Sequence, residues 1–343
     1  MEKKTENYFI DFIRFICAFM IMFYHSWVFS ATDNSLFGYG YLAVNFYFIL
    51  TGYLMINSLK KRDDSTYQFV KHKIKRLLPG VLVAFVICYL FAYGRTGFDI
   101  KVLLSNQAIG DLLNLRSFGV HATINSAWWY MSAMLFVTAL LYPLARKYKE
   151  NFTHYLAPLI IVITLALINY FEISMSYHSA VTTVFTNGVY KGFIYICLGC
   201  IAFDMVKNLN QKDLTKLQRI VMTIYEIGMY VVLFANMQFN FMGSIIFAIL
   251  LTLNIAISFS DITYTKKAFK SKIWKKLGNY GFYLYLTHEA IRTFMLRRNN
   301  YDYSEMLLKY VVISLIVAVI VYIILEYVYP FIKKKRNHIV MNH

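Results

Sequence analysis

Charged residues are scarce in this sequence, and acidic residues are the scarcest. Asp and Glu number 18 against 35 Lys and Arg, and the four types together make up 15% of the 343 residues. Soluble domains carry about 25% charged residues. Proline, which interrupts helices, occurs only four times. These shortages exclude an ordinary soluble domain.

Cysteine is also rare and gives no sign of a disulfide framework or a metal site. All four cysteines lie within apolar runs. Cys197 and Cys200 form a C-x-x-C pair, but no His or second pair accompanies them, which favours two small buried residues. A cleavable signal peptide is not expected either, because the first apolar run, 8–29, is too long and contains Asp11 and Arg14.

Apolar residues are abundant, at 59% of the chain, and they fall into runs long enough to cross a bilayer. The sequence therefore predicts an all-α, polytopic integral membrane bundle of about ten transmembrane helices. It forms a single domain over 1–343, with 338–343 as a flexible tail. The predicted spans are 8–29, 39–58, 77–93, 128–145, 155–171, 188–206, 219–235, 242–259, 280–296 and 306–330.

The net charge of +17 could indicate a nucleic-acid partner, but its distribution favours the lipid bilayer instead. Of the 35 Lys and Arg residues, 26 lie in the segments on one side of the predicted spans and six on the other. Basic residues accumulate on the cytoplasmic side of membrane proteins. This bias predicts that both termini are cytoplasmic. The loop 94–127, on the outer side, is long enough to fold back into the bundle.

Three ionisable residues lie in the first span, where a charge costs at least roughly 2.5–3.5 kcal/mol. Asp11 lies one helical turn before Arg14 and can pair with it. Arg14 and His25 are eleven residues apart, so they share a face, with His25 about 16 Å further along the helix. Two interpretations are open: an ion pair with a structural histidine, or a functional pair on one face.

Two further clusters allow a structural and a functional interpretation. His288 and Glu289 lie within the ninth span, where the histidine can either bond a neighbouring helix or act in catalysis. The basic run 71–76 precedes the third span and can simply fix its orientation or touch anionic lipid. Alternatively, Lys73 and Arg76, one turn apart, can grip a multiply phosphorylated ligand.

The motifs together resemble the membrane acyltransferase family 3. That family opens with an Arg, ten residues and a His, with an Asp three before the Arg, as Asp11, Arg14 and His25 do here. An aromatic-rich strip follows in 44–54; the family has a Ser before its Gly, and Thr51 replaces it.

Later segments continue the resemblance over almost the whole chain. The family's two arginines three apart, followed by proline, are matched by Lys73, Arg76 and Pro79, with lysine a departure at the first position. The segment 128–131 matches a Trp-aromatic motif, 277–288 matches a late motif that ends in His288, and Glu326 loosely matches a closing Glu-x-Pro.

The resemblance implies a multi-pass enzyme of the cell membrane. Such enzymes O-acylate carbohydrates, typically bacterial surface glycans, with cytoplasmic acyl-CoA as donor. Acetyl-CoA is the expected donor, no metal is expected, and glycan-biosynthesis proteins are possible partners. The acceptor would be a surface glycan or its lipid-linked precursor.

The resemblance also implies roles for single residues. His25 would be the general base, or a transient acyl carrier; Asp11 would orient Arg14, and Arg14 would stabilise the donor or the oxyanion. His288 is a second catalytic candidate. The donor phosphates would be held by the basic residues Arg14, Lys73, Lys75 and Arg76. The aromatic residues that would stack on a sugar, or else form an interfacial belt, are Trp128, Trp129 and Tyr130.

Two other functions compete with the enzyme. A glycan-intermediate transporter or flippase would line its path with the same buried charges, but it often shows internal repeats, and none is found. A non-catalytic partner of a polysaccharide export system would not require Arg14 and His25 on one face. Incorporation of an acetyl group from acyl-CoA distinguishes the enzyme from both.

Overall fold

The computed structural model describes residues 6–29, 38–93, 97–120, 125–174, 185–235, 239, 241–296 and 303–331. The predicted tail 338–343 lies outside these residues. Within them the fold is all-helical, as predicted, with no strand. The helices in chain order are α1 (Tyr8–Tyr24), α2 (Leu42–Arg62), α3 (Thr66–Tyr93), α4 (Ile100–Leu103), α5 (Asn106–Leu112), α6 (Trp129–Tyr148), α7 (Ala157–Tyr170), α8 (Asn187–Asn210), α9 (Lys216–Phe234), α10 (Phe241–Phe259), α11 (Thr265–Ala268), α12 (Ile273–Leu296) and α13 (Tyr303–Ile323).

Eight helices of the described chain are long and apolar enough to cross a membrane: α2, α3, α6, α7, α8, α9, α10 and α13. The chain is therefore a multi-pass membrane protein. The other two predicted spans correspond to α1, which has 17 residues, and α12, which is more polar. The count of about ten spans and the cytoplasmic position of both termini stay predictions.

These two helices, α1 and α12, pack against each other. Asn7 caps α1 by accepting a hydrogen bond from the backbone N–H of Ile10, which satisfies one of the free N–H groups at the helix start. Two glycines of α12 allow close approach: a Cβ on Gly278 would lie 3.0 Å from the backbone oxygen of Asp11, and one on Gly281 would lie 3.2 Å from Ala18 Cβ. The ionisable residues of both helices are thereby brought together.

A second close helix pair is formed by α2 and α8. A Cβ on Gly52 would lie 2.0 Å from the backbone oxygen of Ile196, and one on Gly199 would lie 1.9 Å from that of Ile49. Small residues at such crossings let helix backbones approach within the membrane. The two helices therefore require glycine at both positions.

We expect Gly199→Ala to lower the thermal stability of the detergent-solubilised protein, because the added methyl group forces α2 and α8 apart. Overpacking of this kind costs about 1–3 kcal/mol or more. Gly228→Ala in α9 is the matched control, since a Cβ there would meet nothing within 4 Å. Equal melting temperatures for the two variants, measured by scanning fluorimetry, would contradict the close packing.

The segment between α3 and α6 folds back against the bundle where the structure describes it. Ser132 Oγ of α6 accepts a hydrogen bond of 2.9 Å from the backbone N–H of Ser117. Asn125 Nδ2 and Trp128 Nε1 both donate to the backbone oxygen of Leu286 in α12, at 2.8 and 3.1 Å. These contacts hold the start of α6 beside the polar part of α12.

Candidate active site

His25 faces a buried carboxylate at the C-terminal end of α1. It begins a 3₁₀ turn, His25–Phe29, directly after the helix. Its Nδ1 lies 3.5 Å from Glu289 Oε2 of α12. The side chain of His25 is 21% exposed, whereas that of Glu289 is 1% exposed. A carboxylate on one imidazole nitrogen fixes the tautomer and leaves the other nitrogen for a reacting proton.

Glu289 is held in place by two further side chains. Arg292, one turn later in α12, donates from Nε and Nη2 to the two carboxylate oxygens, at 2.8 and 2.6 Å. Ser126 Oγ, from the turn before α6, donates to Glu289 Oε1. Bidentate pairing and the short reach of serine restrict the rotation of the carboxylate. The carboxylate is therefore oriented before any substrate arrives.

His288 lies beside His25, with 5.2 Å between the ring centroids. Its Nδ1 lies 3.2 Å from the backbone oxygen of Leu284, which assigns the ring proton to Nδ1. The other nitrogen, Nε2, is buried and has no hydrogen-bond partner in the described chain. It is thus a hydrogen-bond acceptor beside His25, and a ligand hydroxyl placed between the two rings would satisfy it.

A buried arginine of the loop between α3 and α6 adds positive charge near this cluster. Nε and Nη1 of Arg116 are buried without a hydrogen-bond partner in the part of the chain described. Burial lowers the pKa of Arg116, and the carboxylates of Asp111 and Glu289 oppose this shift. Arg116 therefore offers donors to a polar ligand near Glu289.

A cationic cavity of about 510 Å³ lies at the opposite end of α1. Its basic lining residues are Arg14, Arg62, His72, Lys73 and Arg76. One carboxylate, Glu326, lies among them and accepts hydrogen bonds from Asn279 Nδ2 at 3.2 Å and from Tyr283 Oη at 2.9 Å. The excess of positive charge suits a ligand that carries several negative charges.

Arg14 of α1 lines this cavity and pairs with Asp11, as the spacing of the two residues predicts. Its Nη1 donates to Asp11 Oδ1 at 2.7 Å, which is the predicted ion pair. Its backbone oxygen accepts a hydrogen bond of 2.5 Å from Tyr47 Oη of α2. Because α1 is continuous over Tyr8–Tyr24, eleven residues place His25 about 16 Å along the axis from Arg14.

The cationic cavity thus lies near the start of α1, and a histidine–carboxylate pair, His25 with Glu289, lies at its end. A sequence profile of the family described as "Acyltransferase domain" matches residues 7–327, nearly the whole chain. The chain belongs to membrane acyltransferase family 3. Comparison with curated proteins and with solved structures gave no match.

The basic residues expected to hold the donor in this acyltransferase are not placed alike. Lys73 and Arg76 line the cavity, and Lys73 Nζ lies 3.3 Å from Met134 Sδ and 5.3 Å from the Phe69 ring centroid. Lys75 is exposed and does not line the cavity. Lys73 and Arg76 line the cavity and Lys75 does not, because neighbouring residues of a helix such as α3 point in different directions.

The aromatic residues expected to bind the sugar are mostly buried in packing. Trp128 is 1% exposed, and its indole N–H already donates to the backbone oxygen of Leu286. Trp129 is also buried, against Phe48, with 6.2 Å between ring centroids. Tyr130 Oη lies 3.3 Å from Thr51 Oγ1, and Thr51 lines the cationic cavity. Of the three, Tyr130 is thus the one connected to that cavity.

The candidate site includes residues to which the sequence assigned no catalytic role. Glu289 and Arg292 are three residues apart, a helical spacing that predicts an ion pair, and this signal was present in the sequence. Ser126 and Arg116 carried no such signal, because their positions depend on how the loop between α3 and α6 folds back. The site is thus partly assembled from contacts distant in sequence.

Proposed function

We propose that this acyltransferase moves an acyl group, most simply acetyl, from acyl-CoA to a hydroxyl of a cell-surface glycan or its lipid-linked precursor. The protein would act in the cytoplasmic membrane with both termini in the cytoplasm. The observation that carries the proposal is the placement of two complementary sites on α1, Arg14 in a cationic cavity and His25 beside Glu289.

The cationic cavity is the proposed donor site. Acyl-CoA carries several phosphate charges, and Arg14, Lys73 and Arg76 line one cavity with Arg62 and His72. Arginine binds phosphate through paired N–H groups, whereas lysine contributes a compact charge. With both termini in the cytoplasm, this cavity opens to the compartment that contains acyl-CoA. His25 then lies towards the opposite face, where a glycan would approach.

The histidine pair, His25 and His288, is the proposed site of transfer. His25 Nε2 removes the proton of the acceptor hydroxyl while its Nδ1–H faces Glu289, and the hydroxyl oxygen forms a bond to the thioester carbonyl carbon. The carbon–sulfur bond then breaks, and the proton on His25 passes to the departing thiolate. His288 Nε2 lies close enough to orient the hydroxyl, and Arg116, which interacts with Glu289, would stabilise the oxyanion.

Metal chemistry is not part of the proposal, although His25, His288 and Glu289 bring possible ligand atoms within 4.8 Å of one another. Glu289 already uses both oxygens to bind Arg292, and a guanidinium beside a cation opposes metal binding. We expect dialysis against a chelator to leave acyl transfer unchanged. Loss of activity that zinc restores would instead assign these three residues to a metal.

The function is tested by following an isotopically labelled acetyl group. Membrane vesicles that contain the protein are supplied with labelled acetyl-CoA, and the glycan and lipid fractions are analysed by mass spectrometry. Surface glycans from cells with and without the gene should also differ by an acetyl-sized increment. A glycan that crosses the membrane without gaining label would favour the transporter.

We expect Lys73→Met and Arg76→Met each to raise KM for acetyl-CoA about tenfold or more, because each removes a charged donor to phosphate. Lys75→Met is the matched control, since it removes the same charge from an exposed position of the same helix. Steady-state kinetics with a fixed acceptor measure the effect. A KM for Lys75→Met raised as far as that for Lys73→Met would show that the effect is one of general surface charge.

A further inference from the structure

A second cavity, of about 380 Å³, lies between α2, α7, α8 and α10 and contains a buried lysine. Its wall is largely apolar, and the apolar residues that form it include Ile161, Leu165, Ile194, Leu198, Ile245 and Ile249. Ile249 is 56% exposed on the surface of α10, so the cavity adjoins the lipid-facing side of the bundle. This volume lies in the range of small-ligand sites.

Lys191 of α8 supplies an unsatisfied charge to this cavity. The residue is 2% exposed, and its Nζ has no hydrogen-bond partner in the described chain. The ammonium lies 4.9 Å from the centroid of the Tyr41 ring, a cation–π contact that leaves its N–H donors unused. A buried charge without hydrogen-bonding partners is costly, particularly at membrane depth.

An amide of α2 lines the same cavity and is also incompletely bonded. Asn45 is buried, and its Oδ1 has no hydrogen-bond partner in the described part of the chain. Two polar side chains, from α2 and α8, are therefore left unsatisfied in one apolar cavity. This arrangement of an apolar wall with few polar groups is typical of a site for an amphiphile.

The cavity is separate from the cationic cavity and lies near the histidine pair. Tyr41 is 6.1 Å from Tyr24, and Tyr24 is 5.2 Å from His25, measured between ring centroids. None of the residues that line the cationic cavity lines this one. A ligand head group at Lys191 would thus lie at the His25 end of α1, behind two aromatic rings.

We infer that this cavity binds a phosphate-bearing membrane lipid, with an apolar chain along the wall and the phosphate on Lys191. The ammonium attracts the phosphate oxygens, and the cavity gives the chain an apolar surface that opens towards the bilayer. Asn45 Oδ1 accepts a hydrogen bond from a protonated phosphate or a hydroxyl of the head group. The inference concerns binding and does not depend on the proposed acyl transfer.

The test measures binding of decyl phosphate to the full-length protein in detergent by native mass spectrometry. Wild type should bind one molecule, and Lys191→Met should weaken binding at least roughly tenfold through loss of a charged hydrogen bond. Lys191→Arg should retain binding. Decanol, which has the same chain without the charge, should bind more weakly than decyl phosphate to wild type.

Two controls separate this site from general attraction and from misfolding. Lys101→Met removes an exposed lysine of α4 and should not change binding. Ser244→Phe keeps Lys191 but fills the cavity from α10, so it should also abolish binding, even if Lys191→Met does not fold. Equal affinity of wild type and either cavity variant for decyl phosphate would overturn the inference.

The lipid that co-purifies with the protein gives an independent measurement. Lipid extracted from wild type should contain a phosphate-bearing species that is depleted in both the Lys191→Met and Ser244→Phe proteins, and its fragment masses distinguish a glycerophospholipid from an isoprenoid phosphate. An extract from either variant with the wild-type composition would show that Lys191 is simply a buried amine.

Discussion

Replacement of His25 by Ala is expected to reduce acyl transfer by about 10²- to 10⁴-fold, the usual contribution of a positioned general base. His25 begins the 3₁₀ turn after α1, and its side chain contributes little to the apolar core. The loss should therefore appear in kcat, without a large change in KM for acetyl-CoA, because the proposed donor site at Arg14 lies about 16 Å away.

The measurement is single-turnover transfer of labelled acetyl by purified protein in lipid nanodiscs. His154→Ala, which removes an exposed histidine, is the matched control and should keep full activity. His288→Ala should retain more activity than His25→Ala, because the Nδ1 of His288 is held by the backbone oxygen of Leu284 and not by a carboxylate. Full activity in folded His25→Ala protein would disprove the base assignment and transfer that role to His288.

Glu289→Gln should have the second large effect, because the change keeps the shape but removes the charge that faces His25. In the proposed mechanism the carboxylate fixes the imidazole tautomer and stabilises the imidazolium that forms during transfer. Loss of such an orienting carboxylate lowers kcat by about 10⁴-fold in serine-protease triads. KM for acetyl-CoA should stay near its wild-type value, since Glu289 does not line the cationic cavity that we propose as the donor site.

The difficulty with Glu289→Gln is that it leaves Arg292 partly buried without its carboxylate. Removal of one partner of a buried ion pair costs about 3–5 kcal/mol. The double variant Glu289→Gln with Arg292→Gln removes both charges and should recover folded protein without recovering activity. Recovery of activity would show that Glu289 has only a structural role. Glu305→Gln, in the exposed pair with Lys309, is the control.

The sequence predicted the apolar part of the fold better than its polar part. Eight predicted spans correspond to helices that are long and apolar enough to cross a membrane, because hydropathy alone defines such segments. The predicted spans that contain α1 and α12 are apolar runs interrupted by charged residues. Their mutual packing depends on Gly278 and Gly281, and a single sequence does not reveal that contact.

The candidate site was predictable to a similar degree. The helical period placed Arg14 with Asp11 and placed His25 three turns away, and both follow from α1 alone. It did not reveal that Glu289 is the partner of His25, because that contact joins residues 264 positions apart. It placed Lys73 and Lys75 in different directions, but it did not reveal which of them lines the cationic cavity, because that depends on the helices around α3.

The packing of α1 against α12 has a consequence for how the protein is made. His288, Glu289 and Arg292 make α12 expensive to insert into lipid alone, at roughly 2.5–3.5 kcal/mol for each charged residue near the centre of the bilayer. Its main partner, α1, is synthesised first and precedes it by the ten helices from α2 to α11 in the described chain. We expect α12 to remain loosely inserted until α1 covers its polar face. Assembly of the histidine–carboxylate pair would then be a late step of membrane integration. A partly folded chain would therefore lack the contact between His25 and Glu289.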